Sequence, residues 1–390
     1  MSRRRFCSVT AGAIGGMTLP SMAKSSEFNV AAIDRKRVLA QANAYLVESP
    51  ITVTAESSPR SAGARHDFFS EGDYWWPDPT KPEGPYIQRD GMSNPDTFGA
   101  HRKALLRFSV QMPALTAAWV LTRDGRYSNA AVRHLRAWFV DSETRMNPSL
   151  QYAQAIHGIT TGRSTGVIDT LHLVEVARAA ERLIVGQGIA TNDGAAVRNW
   201  FQDYLKWLVT STNGLEERDA KNNHGTCWCC QAAAFAHLTG NEEVKASVRE
   251  RFKTVLLPEQ MAADGSFPKE LARSKPYGYS IFNLDVMTDL CQILSTAKDD
   301  LFAFTLPDGR TMHRGIEFLF PYLKNRAAWP YKRDVEYFND FPVRQTSLLF
   351  GGLAYREEKY LALWKSLPAT SEVPEVMRNF PIRQPVLWVA

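Results

Sequence analysis

The chain has 390 residues, of which 44% are hydrophobic and 22% charged, the balance of a soluble globular protein long enough for one large domain or two ordinary ones. Its formal charge of +5 includes Arg3, Arg4 and Arg5, so the remainder carries 5 − 3 = +2. That small excess, with no later run of Lys and Arg, argues against a nucleic-acid partner.

Residues 1–23 read as a bacterial export leader. Ser2-Arg3-Arg4-Arg5-Phe6 is a twin-arginine pattern, Val9 to Leu19 is weakly apolar, and Ser21-Met22-Ala23 has the small-x-small form of a cleavage site. The apolar run is too short and too rich in glycine to anchor in a membrane, and no other segment reads as a span. The expected product is a single domain over residues 24–390, periplasmic or secreted.

Apolar spacing of three and four places a helix within residues 27–48, from Val30 to Leu46. A polar, Pro- and Gly-rich segment then runs to about Asn94, long enough to suggest a functional loop. It contains Tyr74-Trp75-Trp76 and, further on, Tyr86-Ile87-Gln88-Arg89-Asp90. Such aromatics suit stacking on sugar faces, or else pin the loop to the core. Arg89 is expected to pair with Asp90 or Asp78.

From Arg102 onward the pattern is helical. The expected helices are Leu105–Leu121 (kinked or restarted at Pro113), Tyr127–Phe139, Leu171–Leu183, Gly194–Thr210, Thr226–Leu238, Asn241–Leu256 and Tyr279–Ser295. Short polar turns join several of them as helical hairpins, and no set of alternating segments is long enough to build a sheet. An all-α architecture follows, compatible with an (α/α) toroid or a solenoid. Cys227, Cys229, Cys230 and Cys291 lack paired zinc spacing and read as buried thiols, so no metal and no cofactor is expected.

Asn222-Asn223-His224-Gly225-Thr226 precedes the apolar run Gln231 to Ala236, at a helix N-terminus whose free N–H groups attract anions. Alone, Asn223 could be a simple N-cap and His224 a structural histidine. Set beside Arg273 and Tyr279, with His157, Arg163 and the Tyr74–Trp76 loop, they form an amide, imidazole, guanidinium and phenol set. That set suits β-elimination on a uronate. Donors neutralise the sugar carboxylate, and a phenol beside an Arg, its pKa thereby lowered, takes the C5 proton and protonates O4. For mannuronate or glucuronate both groups share one ring face, so one Tyr suffices. For guluronate His224 would be wanted as base.

These elements resemble the alginate-lyase superfamily of polysaccharide lyases. The resemblance rests on Asn222-Asn223-His224-Gly225-Thr226, Glu270-Leu271-Ala272-Arg273 with Tyr279-Ser280, Gly72-Asp73-Tyr74-Trp75-Trp76-Pro77, and Gln154-Ala155-Ile156 with Gly162-Arg163. It implies an incomplete (α/α) barrel with a central groove. Asn223, His224 and Arg273 would neutralise the carboxylate and Tyr279 would be base and acid. Tyr277, two residues away, is the rival phenol. Asn222, His157, Arg163, Tyr74, Trp75, Trp76, Arg89 and Tyr277 are the candidate substrate-binding residues. The expected partner is an anionic polysaccharide, alginate or glucuronan. An uronide hydrolase with an Asp pair and a non-catalytic carbohydrate-binding protein are the readings from other classes.

Overall fold

The computed structural model describes residues 28–389, so the expected leader over residues 1–23 lies outside the described residues. The helices are α1 (Val30–Tyr45), α2 (Ala100–Thr122), α3 (Gly125–Phe139), α4 (Leu173–Val185), α5 (Thr191–Thr210), α6 (Thr212–Arg218), α7 (Asn223–Thr239) and α8 (Glu242–Arg251). They continue as α9 (Leu257–Gln260), α10 (Pro268–Leu271), α11 (Pro276–Leu294), α12 (Met312–Lys324), α13 (Thr346–Tyr355), α14 (Glu358–Ser366), α15 (Pro374–Arg378) and α16 (Val386–Val389). The expected helix over Asn241–Leu256 is α8 followed by one wide turn at Phe252–Leu256.

Local chemistry sets the boundaries. Arg123 takes a left-handed φ of 60° to end α2, and the Asp124 carboxylate accepts from the Arg126 N–H to start α3. Gly240, with φ 72°, ends α7, and Asn241 caps α8 through the Val244 N–H. Both turns fold consecutive helices against each other. α2 runs through Pro113 without interruption. It is also long and apolar enough to cross a membrane by composition alone, contrary to expectation, yet most of that length is buried inside the protein.

α7 and α11 are the central helices. Nearly every residue of both is buried, and they pack on each other, with α4 and α5 also against α7 and α13 against α11. A helix apolar on all sides is stable only when enclosed. Around them the aromatic core includes Trp138, fully buried and stacked on Phe108 at 4.9 Å. Trp138→Ala should lower unfolding free energy by about 3–5 kcal/mol, measured as a shift of the denaturant midpoint. All four described cysteines are buried and free, as their spacing suggested.

Strands are few. β1 (Phe69–Glu71) pairs in parallel with β4 (Tyr152–Ala155), tying the long N-terminal loop to the 147–163 loop. β2 (Trp75–Trp76) and β3 (Ile87–Gln88) form an antiparallel pair, with Trp75 opposite Gln88 and Trp76 opposite Ile87.

Candidate active site

Both central helices begin at one cavity of about 480 Å³. Asn222, Asn223 and His224 reach it from the start of α7, and Tyr279 from the first turn of α11. Asn223 is the first residue of α7 rather than its cap. Asn222 holds the cap position and makes no capping side-chain hydrogen bond. Gly225 is required at this start, because a Cβ there would lie 2.3 Å from the Ala220 carbonyl oxygen.

Asn223 and His224 are each held by a buried carboxylate. The Asn223 backbone N–H and Nδ2 donate to the two oxygens of Glu270, both at 2.7 Å. His224 Nδ1 lies 2.5 Å from Glu217 Oε1. Burial disfavours the imidazolium, but the Glu217 carboxylate outweighs it and the His224 pKa rises above its ordinary value. In the imidazolium, Nδ1 donates to Glu217 and Nε2 is a second donor; in the neutral ring with Nδ1–H on Glu217, Nε2 is an acceptor.

On the α11 side, Tyr279 Oη is 2.8 Å from Tyr74 Oη. The Arg273 guanidinium lies 4.7 Å above the Tyr279 ring. Asp90 fixes Arg273 with a fork, Nη2 to Oδ1 at 2.7 Å and Nε to Oδ2 at 3.2 Å. The expectation that Arg273 lowers the Tyr279 pKa is half correct. Arg273 acts in that direction, but burial, with Tyr74, pushes the phenol well above its usual value.

A second charged layer lines the same cavity. Arg102 pairs with Asp73 and lies 3.2 Å from Asp169, while Arg378 of α15 pairs with Asp73 at 2.6 Å and approaches Glu375 at 3.6 Å. Burial opposes the Asp73 carboxylate, yet Arg102 and Arg378 hold its pKa far below the carboxylate range. Lys275, buried between Glu375 and Glu336, sits 5.5 Å from the Tyr74 ring centre.

The cavity wall thus includes Tyr279, His224, Asn223, Arg273, Asn222, Arg163, Tyr74 and Trp75. Four other candidates do not reach it. Successive strand residues face opposite sides, so Trp75 lines the cavity while Trp76 turns away, its Nε1 donating to the Met92 carbonyl at 2.9 Å. Arg89 lies over that Trp76 ring at 5.2 Å instead of pairing with Asp90 or Asp78, since Asp90 is taken by Arg273. His157 is exposed beyond β4, packed on Tyr86 at 5.1 Å. Tyr277 is fully buried, its Oη donating to the Tyr322 carbonyl at 3.0 Å, so of these two phenols Tyr279 faces the cavity.

Asp90, Glu217, Glu270, Arg102, Asp169 and the α15 residues were not singled out from sequence. Asp90 adjoins the aromatic loop and Glu270 lies in the Arg273 motif, so only these two carried a local signal.

Paired buried carboxylates thus orient an amide and an imidazole opposite a phenol under a guanidinium, and comparison with known proteins gives the class, a polysaccharide lyase. The chain belongs to the alginate lyase family, whose model, described as alginate lyase, matches residues 52–329. A crystal structure of an alginate lyase from Bacteroides ovatus is 32% identical, covering 93% of this chain and 94% of that one, with a TM-score of 0.81. Alginate lyase A1-III, as a histidine-to-alanine variant complexed with a tetrasaccharide, is 14% identical over 90% of this chain and 94% of that one, TM-score 0.55. Its tyrosine-to-phenylalanine variant, also complexed with a tetrasaccharide, is 15% identical with the same coverage and a TM-score of 0.51. Comparison with curated proteins gave no match.

Proposed function

We propose that this lyase cleaves 1,4-linked polyuronate, alginate with mannuronate-rich segments favoured, by β-elimination at Tyr279. The supporting observation is the placement of Tyr279 Oη at the cavity wall beneath Arg273, across from an amide and an imidazole each oriented by its own carboxylate. Asn223, His224 and Arg273 offset the charge of the sugar carboxylate, which stabilises the enolate-like species as C5 loses its proton. Tyr279 as phenolate takes that proton. The C5 electron pair forms the C4=C5 double bond, the C4–O4 bond breaks, and the phenol returns the proton to O4. One phenol serves both steps because the proton and O4 share a ring face in mannuronate.

The helical hairpins fit an incomplete (α/α) toroid whose groove holds the chain. The alginate lyase A1-III variants, which share this fold, are complexed with a tetrasaccharide, and this supports an oligosaccharide as the ligand here. Residues 24–390 are taken as one domain, exported by the twin-arginine leader to the periplasm or beyond. The test is ultraviolet absorbance on incubation with poly-mannuronate, poly-guluronate, alginate and glucuronan. Elimination creates a conjugated double bond and hydrolysis does not. The fastest rise is expected on poly-mannuronate. A faster rise on glucuronan would reassign the substrate, and no rise on any of the four would overturn the proposal.

A further inference from the structure

α11 starts at Pro276, which puts Tyr279 at the end of its first turn. A helix leaves its first N–H groups without partners of its own. Pro276 has no N–H, and Tyr279 donates to the Lys275 carbonyl at 2.9 Å, so within this turn Tyr277 and Gly278 are the two that need an acceptor. A Ser, Thr, Asn or Asp at the cap position normally meets that need, but Lys275 stands there and its side chain makes no capping hydrogen bond. Asp334 supplies the cap from another part of the chain. Its Oδ1 accepts from the Tyr277 N–H at 2.7 Å and its Oδ2 from the Gly278 N–H at 2.8 Å.

The segment around Asp334, which itself lies beyond the residues matched by the family model, wraps the same turn. Trp329 and Phe338 pack their rings against Tyr277 at 5.0 and 5.2 Å. The Val335 N–H donates to the Ser274 carbonyl at 3.1 Å, and Glu336 lies 3.3 Å from Lys275 Nζ. Gly278 lets the carboxylate come this close, since a Cβ there would lie 3.0 Å from Asp334 Oδ2. Glycine directly before Tyr279 also leaves the turn with little stiffness of its own. The cap and the segment that carries it therefore fix the backbone from which the phenol projects.

We infer that Asp334 is a positioning residue for Tyr279: its carboxylate pins the first turn of α11 and so sets where the phenol oxygen stands at the cavity wall. This rests on the lyase reading and adds a control to it. Asp334 does not line the cavity, so its effect passes through the helix. Burial pushes its carboxyl up to about 6, against the two N–H donors and Lys275, which favour the charged form. Glu375 of α15 opposes the charge, Glu336 on the same segment is paired with Lys275, and the Tyr277 phenol, pushed up by burial, stays neutral. Protonation turns one acceptor oxygen of Asp334 into an O–H donor, which releases one of the two N–H groups. Acid thus loosens the turn that carries Tyr279 from outside the cavity.

The test is Asp334→Asn, which copies the protonated carboxyl at every pH. At pH 8 it should lower kcat on poly-mannuronate roughly 10–100-fold, the effect of a misplaced reacting group, with KM within about twofold of the parent. The ratio of parent to variant kcat should fall toward one as pH drops through about 6, and the ionisation of Tyr279 itself cancels in that ratio. Hydrogen exchange followed by mass spectrometry, corrected for the intrinsic rate, reads the cap without turnover. Protection of the first turn of α11 should be lower in the variant at pH 8 and should fall in the parent below pH 6. An unchanged kcat, a loss of one size at every pH, or unchanged protection would overturn the inference. Should Asp334→Asn fail to fold, the parent's exchange series between pH 5 and 8 decides the same point. Absence of turnover by the parent would instead sink the lyase reading, and the exchange comparison would still show whether Asp334 holds the turn.

Discussion

Tyr279→Phe should reduce kcat by roughly 10³-fold or more while tetrasaccharide affinity stays within a few-fold of the parent. The substitution deletes one oxygen from a ring that is 8% exposed and leaves its packing under Arg273 in place. What is lost is the atom that accepts the C5 proton and returns it to O4. Single-turnover absorbance and calorimetry on the same preparation separate the two quantities. Full activity in this variant would move the base to His224, because Tyr277 is turned into the core. Burial raises the Tyr279 pKa, so the phenolate fraction grows with pH throughout the neutral and mildly alkaline range. That dependence should disappear with the hydroxyl.

Glu217→Gln should have the second largest effect, and a pH-dependent one. Glu217 holds the His224 pKa above 6.5 against the burial that would lower it. Removal of the carboxylate leaves burial dominant, so the imidazolium is lost at a lower pH. The loss of imidazolium grows as pH rises past the new value and reaches about tenfold for each unit of pKa forfeited once pH exceeds the parent's value. We expect kcat/KM to fall most at pH 8 and least near pH 5.5. The stability sign follows from the same shift. A histidine whose folded pKa is raised contributes its full stabilisation below 6.5 and loses it as pH rises through the folded value. The melting-temperature gap between parent and variant should therefore be widest at acidic pH and close on the alkaline side. A pH-independent loss of activity would show that Glu217 acts on packing alone.

Helix content was legible because burial imposes a spacing on the sequence. α3, α4 and α5 each show apolar residues at intervals of three and four, and the structure places their ends within a few residues of expectation. α6, with only seven residues, offers too little periodicity to detect. The groups that touch the reacting sugar in the proposal were legible too, since Asn223-His224 and Arg273 with Tyr279 are short local patterns. Their orienting partners were not. Glu217 reaches His224 and Asp90 reaches Arg273 only once helices and loops are packed, and a carboxylate in sequence gives no sign of its eventual neighbour. Trp76 and Arg89 failed as candidates for a related reason. Strand alternation in β2 decides which of two adjacent Trp residues faces the cavity, and that register is not visible in a Trp-Trp pair.

The enclosure of α7 and α11 has a practical consequence for engineering. Both helices are walled in on every side, so the amide, imidazole and phenol they present are anchored by the part of the molecule that tolerates change least. The loops carrying Tyr74, Trp75, Asp90 and Arg163 meet the same cavity from outside that core. A library confined to those loops should alter which polymers are accepted at little expense in folding yield. One directed at α7 or α11 should mostly return insoluble protein. Screening soluble expression alongside activity in two such libraries would reveal how cleanly this architecture separates specificity from the ability to fold.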